Sequence, residues 1–99
     1  MITDDESYNT IKQFSQDKAI LLFIANWSEQ SQLLLTKLKS IESILPDIHC
    51  IDVDDDNELT SEYDVYELPT IIIIKHNEVI EQLGNNKSLK DIIDAIRNA

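Results

Sequence analysis

Two serines lie where a predicted strand gives way to a predicted helix, and they are the first residues that could do chemistry. They belong to the segment Trp27-Ser28-Glu29-Gln30-Ser31, which follows the apolar run Ile20 to Ala25. The first residues of a helix lie at the positive end of its dipole and are presented at the surface. A serine hydroxyl becomes a nucleophile only with a base in reach. The candidate bases, His49 and His76, fall in a strand and a distant turn, so we predict that Ser28 caps the helix and is not a hydrolytic nucleophile.

The chain has one cysteine, Cys50, in the middle of the predicted strand Ile48 to Val53. One cysteine cannot form an internal disulfide, and a buried cysteine usually packs as a small apolar residue. A redox role would require exposure and a lowered pKa. We therefore predict an inert, packed thiol, and no zinc site, because the two histidines lack the spacing of metal ligands.

An acidic run follows that strand and imitates the start of a calcium loop, with oxygen ligands at alternate positions: Asp52, Asp54 and Asp56. The sixth loop position requires glycine and is Asn57, and the twelfth is Tyr63. We predict that the run ends the strand and caps a short helix, Glu58 to Tyr63, and binds no metal.

The composition limits the function classes. With 99 residues, 42% of them hydrophobic, the chain is predicted to form a single domain over residues 1–99. Its 19 acidic and 8 basic residues argue against nucleic acid and anionic membranes as partners. A single glycine excludes a Gly-rich phosphate loop, so no cofactor is predicted. Without a leader or a disulfide framework, we expect a cytoplasmic or nuclear protein.

Periodicity and capping signals predict the order helix, strand, helix, strand, helix, hairpin, helix. The predicted strands are a short edge strand within Met1 to Asp5, then Ile20 to Ala25, Ile48 to Val53, Thr70 to Lys75 and Glu78 to Leu83. The first predicted helix is capped by Ser7 and has Tyr8, Ile11 and Phe14 on one face. The other helices are Ser28 to Leu45, stopped by Pro46, then Glu58 to Tyr63, and a last helix capped by Ser88. The second helix would bury Leu34, Leu38, Ile41 and Leu45, with Leu35 and Ile44 widening the stripe. Helix-length crossovers imply parallel pairing, and the His76-Asn77 turn implies an antiparallel hairpin. The prediction is a three-layer α/β domain with a mixed sheet.

This order resembles thioredoxin over nearly the whole chain. The resemblance rests on Trp27 at the strand end, Ile51-Asp52-Val53-Asp54, Leu68-Pro69-Thr70 before the hairpin, and Gly84 after the last strand. It implies a thioredoxin-like α/β/α fold with a cis peptide bond before Pro69, whereas the local sequence alone favours trans. It also implies that the Pro69 loop faces the helix start and forms a partner-binding surface with it.

The chain departs from the family at the residues that carry its chemistry. The family's two redox cysteines fall on Ser28 and Ser31, its buried acid on Leu22, the accompanying base on Cys50, and its Gly-Pro on Glu29-Gln30. Thiol–disulfide exchange needs an attacking thiolate and a second thiol to resolve the mixed disulfide. The sequence therefore predicts no catalytic residue and a redox-inactive domain.

The favoured function is binding of a protein or an extended peptide, as an adaptor. In the family, the backbone beside the cis-proline pairs with an extended peptide, and this does not depend on cysteines. The predicted surface comprises Trp27, Ser28, Glu29, Gln30, Ser31, Glu67, Leu68, Pro69, Gly84 and Asn85. Two alternatives stay open. One is a thioredoxin- or glutaredoxin-type oxidoreductase with residual thiol or glutathione-linked activity, which would need a reachable Cys50 or a glutathione site beside Pro69. The other is an interface on the acidic face from Asp52 to Glu58.

Within the superfamily, the chain is similar to the N-terminal thioredoxin-like domain of multidomain monothiol glutaredoxins. The likeness rests on the isoleucine-rich strand Thr70 to Lys75 and the acidic turn Ile51 to Asp54. It implies a role in iron–sulfur or redox homeostasis, with a glutaredoxin domain on the same chain as a partner, or else a stand-alone relative.

Overall fold

The structure is a computed structural model that describes residues 1–4 and 7–99. The strands are β1 (Ile2–Thr3), β2 (Lys18–Ile24), β3 (Ile48–Asp52), β4 (Thr70–Lys75) and β5 (Glu78–Leu83). The helices are α1 (Tyr8–Ser15), α2 (Glu29–Ser40), α3 (Asn57–Glu62) and α4 (Leu89–Asn98), with a short 3₁₀ turn over Glu42–Ile44. The predicted edge strand is present as β1, while Asp5, the end of that predicted segment, lies outside the described residues.

The five strands form one mixed sheet in the order β1-β3-β2-β4-β5. β3 pairs in parallel with both β1 and β2, and β4 pairs antiparallel with β2 and β5. The predicted parallel crossovers and the antiparallel hairpin are confirmed. The register sets Leu22 opposite Cys50, so the two positions at which the family resemblance expects a buried acid and its base are direct neighbours.

Two apolar clusters lie on opposite faces of the sheet because successive side chains of a strand point to opposite sides. One cluster joins the sheet to α2 and α4; its members include Ile20, Leu22, Ile24, Leu34, Leu38, Ile71, Ile73, Ile92 and Ile96. The other joins the sheet to α1 and α3; its members include Ile11, Ala19, Leu21, Phe23, Leu59, Ile72 and Ile74. The fold is therefore the three-layer α/β/α arrangement that the sequence predicts.

The second helix is shorter than predicted. It ends at Ser40, and Ile41 leaves the helical region with φ −124°. Leu45 is extended, with ψ 150°, because the residue before Pro46 is driven out of the helical region. A 3₁₀ turn accommodates this change, so Leu45 reaches the core while Ile44 stays 58% exposed and does not widen the buried stripe.

Other differences are small. β2 begins at Lys18 and ends at Ile24, and β3 ends at Asp52, one residue early. α3 begins at Asn57 because Asp56 caps it. Phe14 is only half-buried, with its ring centroid 4.6 Å from that of His49.

The hairpin and the last helix match the prediction, because their signals are local. His76 and Asn77 have φ of 53° and 65°, the left-handed values that a two-residue hairpin turn needs. Ser88 accepts a hydrogen bond from the Asp91 N–H and caps α4. Among the described helices, none is long and apolar enough to cross a membrane.

Candidate functional site

Ser28 starts α2 as its N-cap. Its Oγ accepts the Ser31 N–H at 3.2 Å, which satisfies one of the unpaired donors of the first turn. The predicted capping role is confirmed. Glu29 follows in the first turn and is exposed, where a carboxylate is favourable beside the helix dipole.

Ser31 is buried, and its assignment to the partner-binding surface is wrong. The residue is 0% exposed. Its Oγ lies 3.4 Å from the Ala25 N–H, at the end of β2. One turn into an amphipathic helix, position 31 faces the sheet, so its hydroxyl ties the helix to the strand and cannot contact a partner.

Trp27 is 71% exposed, but it points toward the loop after β3. The indole Nε1 donates to Asp54 Oδ2 at 3.0 Å. Asp54 is itself placed by its N–H, which donates to Asp52 Oδ1 at 2.9 Å. This hydrogen bond holds the indole ring against the loop that follows β3.

The loop that contains Pro69 does face α2, across a cleft of about 190 Å³ that we call the Pro69 cleft. The Leu68–Pro69 peptide bond is cis. The cleft is lined by Gln30, Leu33, Leu34, Lys37, Pro69, Gly84, Asn85, Lys87, Leu89 and Ile92. Of the ten residues that the sequence assigns to the surface, four line this cleft: Gln30, Pro69, Gly84 and Asn85.

The other lining residues come from two helices and from the loop before α4, and sequence reasoning misses them. Gln30, Leu33, Leu34 and Lys37 stand at i, i+3, i+4 and i+7 on α2, the spacing of one helix face. Leu89 and Ile92 stand three apart on α4. That spacing is visible in the sequence, but only the fold shows that the two faces meet.

Glu67 shapes the wall of the cleft without being part of its lining. Its Oε1 accepts the Asn85 N–H at 3.3 Å. A Cβ at Gly84 would lie 1.6 Å from the same oxygen, so any other residue there would displace this carboxylate. Asn85 Nδ2 reaches the Leu68 carbonyl at 3.4 Å, a long and therefore weak bond. Pro69 itself is buried, so it supports the cleft from behind.

A second concave surface, of about 500 Å³, lies on the other side of α2; we call it the aspartate cavity. Its lining is Asp4, Ser7, Ile24, Asn26, Gln32, Leu35, Cys50, Ile51, Asp52, Asp55 and Asp56. Cys50 is only 4% exposed. Burial, and then the Asp4 carboxylate, raise the pKa of the Cys50 thiol to about 12, since both disfavour the thiolate. The packed and unreactive thiol that the sequence predicts is present.

Side chains of the acidic run accept hydrogen bonds from nearby backbone N–H groups. Asp56 Oδ1 accepts the Leu59 N–H at 3.0 Å and caps α3, as predicted. Within residues 1–4 and 7–99, no group of three or more His, Cys, Asp or Glu side chains could hold a metal ion.

Neither histidine lies beside Ser28. The His76 N–H bonds the Asp17 carbonyl at the start of β2, whereas Ser28 follows the end of that strand. His49 is opposite Leu21 in the register, on the face covered by α1 and α3, so the sheet separates it from α2.

Comparison with known proteins agrees with this architecture. The thioredoxin family model matches residues 1–98. Thioredoxin H5 of Oryza sativa subsp. japonica is 31% identical over 98 residues, covering 92% of this chain and 73% of that protein. A mutant thioredoxin of Halobacterium salinarum NRC-1 superimposes with a TM-score of 0.82 at 20% identity, covering 98% of this chain and 88% of that one. Schistosoma mansoni thioredoxin gives a TM-score of 0.81 at 20% identity, with 98% and 94% covered. These structures share the fold, and the family match extends over nearly every residue: the chain belongs to the thioredoxin family.

Proposed function

We propose that this protein is a redox-inactive member of the thioredoxin family that binds a segment of a partner protein in the Pro69 cleft. The observation that carries the proposal is the place of the one cysteine. Cys50 is buried on the far side of α2 from the cleft, and the pKa of its thiol is raised to about 12.

The start of α2 offers no substitute for a thiol pair. Thiol–disulfide exchange needs a thiolate that attacks one sulfur of a disulfide and a second thiol that displaces the mixed disulfide. Ser28 and Ser31 are both engaged in the first turn of the helix, and no base activates either hydroxyl among the described residues. Binding without chemistry is what this arrangement supports.

The size and lining of the Pro69 cleft suit a peptide side chain. Sites for drug-sized ligands and cofactors have volumes of roughly 300–1,000 Å³, larger than this cleft. Leu33, at the rim of the cleft, is 54% exposed. Burial of this apolar side chain by a ligand would be favourable. Among the described residues, the Leu68 carbonyl accepts only the weak bond from Asn85, so an extended peptide could replace that bond with a backbone N–H of its own.

A finer placement belongs to the same proposal. We infer that the chain corresponds to the N-terminal thioredoxin-like domain of a cytoplasmic or nuclear monothiol glutaredoxin, acting in iron–sulfur or redox homeostasis. The isoleucine-rich β4 and the acidic turn Ile51 to Asp54 support this. A glutaredoxin domain on the same chain would then be one partner of the cleft.

Insulin reduction with dithiothreitol tests the redox half of the proposal. The protein should give the rate of dithiothreitol alone, while an active thioredoxin, assayed in parallel, accelerates precipitation. A rate above background that disappears in Cys50→Ala would overturn the proposal in favour of the oxidoreductase alternative.

Affinity capture from source cells tests the binding half. Leu33→Asp places a charge at the rim of the cleft, and Ile44→Asp makes the same change at an equally exposed residue outside the lining. Partners should be lost with Leu33→Asp and kept with Ile44→Asp. Identical partner sets for both variants and the wild type would move the interface elsewhere, with the acidic face as the next candidate.

A further inference from the structure

We propose that the segment bound in the Pro69 cleft is acidic: an extended peptide with an apolar side chain flanked by carboxylates that pair with Lys37 and Lys87. This inference rests on the proposed function and specifies the partner of the same site. It is carried by the distribution of charge across the molecule.

The charge of the residues that line the Pro69 cleft is opposite in sign to the net charge of the chain. The chain has 19 acidic and 8 basic residues and a net charge of −11. At that frequency, about two of the ten lining residues would be acidic. Instead the lining contains two lysines and no acid. A surface that excludes the most common charge of its own chain is suited to a ligand that carries that charge.

The two lysines approach the cleft from different elements. Lys37 lies on α2 and Lys87 in the loop between β5 and α4, and both are exposed. Within residues 1–4 and 7–99, neither forms an ion pair. Lys12 and Lys90, by contrast, are paired with Glu62 and Asp94 at 2.7 and 2.9 Å. The ammonium groups at the cleft are therefore available to a ligand.

Among the described residues, the nearby carboxylates of Glu67 and Glu29 form no ion pair with either lysine. Glu67 accepts the Asn85 N–H and lies against Gly84, outside the lining. Glu29 is in the first turn of α2, beside the positive end of the helix dipole. Neither carboxylate therefore holds Lys37 or Lys87 in an ion pair.

The apolar part of the lining defines the rest of the ligand. Leu33 and Leu34 from α2 face Leu89 and Ile92 from α4 across the cleft. Lys37 follows Leu33 by one turn of α2 and Lys87 precedes Leu89 by two residues, so both lysines border the apolar part of the lining and can pair with residues that flank an inserted apolar side chain. Complementary charges of this kind set specificity and association rate more than affinity.

The aspartate cavity has the opposite preference between acidic and basic peptides. Four of its lining residues are aspartates, so it repels an acidic peptide and attracts a basic one. The same protein thus offers opposite preferences on the two sides of α2. Because the field of the whole chain favours a basic ligand, a preference for an acidic one can come only from a local site.

The test compares two fluorescein-labelled peptides by anisotropy. Both contain the same leucine- and valine-rich centre, flanked on each side by two glutamates or by two lysines. The wild type should bind the acidic peptide about tenfold more tightly than the basic one at physiological ionic strength, which screens the field of the distant acidic residues. Lys37→Glu/Lys87→Glu should invert this preference. The control Lys75→Glu/Arg97→Glu, with the same change in net charge at exposed residues outside the lining, should keep it. Circular dichroism checks that both variants fold.

The outcomes separate this inference from the function beneath it. Equal binding of both peptides, or a preference that survives Lys37→Glu/Lys87→Glu, overturns the acidic partner but leaves peptide binding intact. Tighter binding of the basic peptide overturns it too and transfers the site to the aspartate cavity. No binding of either peptide at millimolar concentration contradicts the proposed function itself. Tighter binding of reduced glutathione than of the acidic peptide would replace the protein segment with that tripeptide.

Discussion

Helix α2 separates two concave surfaces of opposite character. The Pro69 cleft, toward β4, β5 and α4, has two lysines, four large apolar residues and no acid. The aspartate cavity, toward β1 and β3, has four aspartates and the only thiol of the chain. One surface is accessible and lacks a reactive group, and the other holds a sulfur whose surroundings keep it protonated. The position of a cysteine in this fold, more than its presence, therefore decides whether it can do thiol chemistry.

The division arises from the geometry of one helix. Gln30, Leu33 and Lys37 face the cleft, while Gln32 and Leu35 face the cavity. Successive residues of an α-helix are rotated by about 100°, so residues two apart lie on nearly opposite sides. A change confined to α2 can therefore disturb one surface or both, and this allows the comparison to be tested.

The largest expected effect concerns the reactivity of Cys50. Because its pKa is raised from 9.0 to about 12, thiolate at neutral pH is about a thousandfold scarcer than for an ordinary cysteine. Reaction with DTNB at pH 8 should be slower than that of a free thiol by at least this factor, and should become fast in denaturing urea. Native protein that reacts at the unfolded rate would show that the two surfaces do not differ in thiol access. Cys50→Ala supplies the blank.

The same thiol gives a pH dependence of stability. The folded state holds the proton of Cys50 to higher pH than the unfolded chain does, because the pKa is raised from 9.0 to about 12 on folding. The free energy of unfolding should therefore fall more steeply above pH 9 for the wild type than for Cys50→Ala, and change equally for both below pH 9. Urea titrations between pH 7 and pH 10.5 measure this difference. Equal slopes over the whole range would contradict the burial of the thiol.

Leu38→Ala should disrupt both surfaces together. Leu38 is 0% exposed and anchors α2 to the sheet. Removing a fully buried leucine side chain costs about 2–5 kcal/mol of unfolding free energy. Leu35→Ala, on the same helix but half-buried, is the matched control and should cost less. A loss below about 1 kcal/mol for Leu38→Ala would mean that α2 is not fixed by this contact.

Ser28→Ala tests whether the serine at the helix start is structural. Loss of the N-cap hydrogen bond to Ser31 should cost about 1 kcal/mol. Ser28→Asp, which can also cap, should keep most of that stability, while peptide binding in the cleft should be the same for all three proteins. Thr36→Ala, in the exposed interior of α2, is the control and should not lower stability, because alanine has the higher helix propensity. An unchanged stability in Ser28→Ala would leave the serine without its structural role.

Gly84→Ala should have an effect of similar or smaller size, confined to the wall of the Pro69 cleft. A methyl group there displaces the Glu67 carboxylate and its bond to the Asn85 N–H, at a cost of about 0.5–1.5 kcal/mol. In a Glu67→Ala background, the same substitution should be neutral or stabilising by up to about 1 kcal/mol, because alanine restricts the unfolded chain. A double-mutant cycle measures the coupling, and purely additive effects would contradict the contact.

Features fixed by neighbouring residues could be predicted from the sequence. The β4–β5 hairpin follows from the unbroken apolar run of β4 and the two-residue turn His76-Asn77, and α4 follows from Ser88 and its apolar face. Periodicity alone places the end of α2 too late, because the apolar pattern continues to Leu45. Pro46 keeps Leu45, the residue before it, out of the helical region.

The site depends on contacts between residues far apart in the chain. The hydrogen bond from Trp27 to Asp54 and the contact of Glu67 with Gly84 leave no trace in local periodicity. Lys37 and Lys87 cannot be assigned to one surface before the fold brings α2 beside the loop that precedes α4. For the same reason the sequence does not reveal the burial of Ser31: its spacing alone does not show which face of the first turn meets the sheet.

The most direct test of the account is an NMR titration of the ¹⁵N-labelled protein with the glutamate-flanked peptide. The account predicts that amide shifts concentrate on residues 30–37 and 84–92, around the Pro69 cleft, while residues 50–56 at the aspartate cavity stay unchanged. Shifts concentrated on residues 50–56 would contradict it, because the binding surface would then lie on the side of α2 that holds the thiol and the acids.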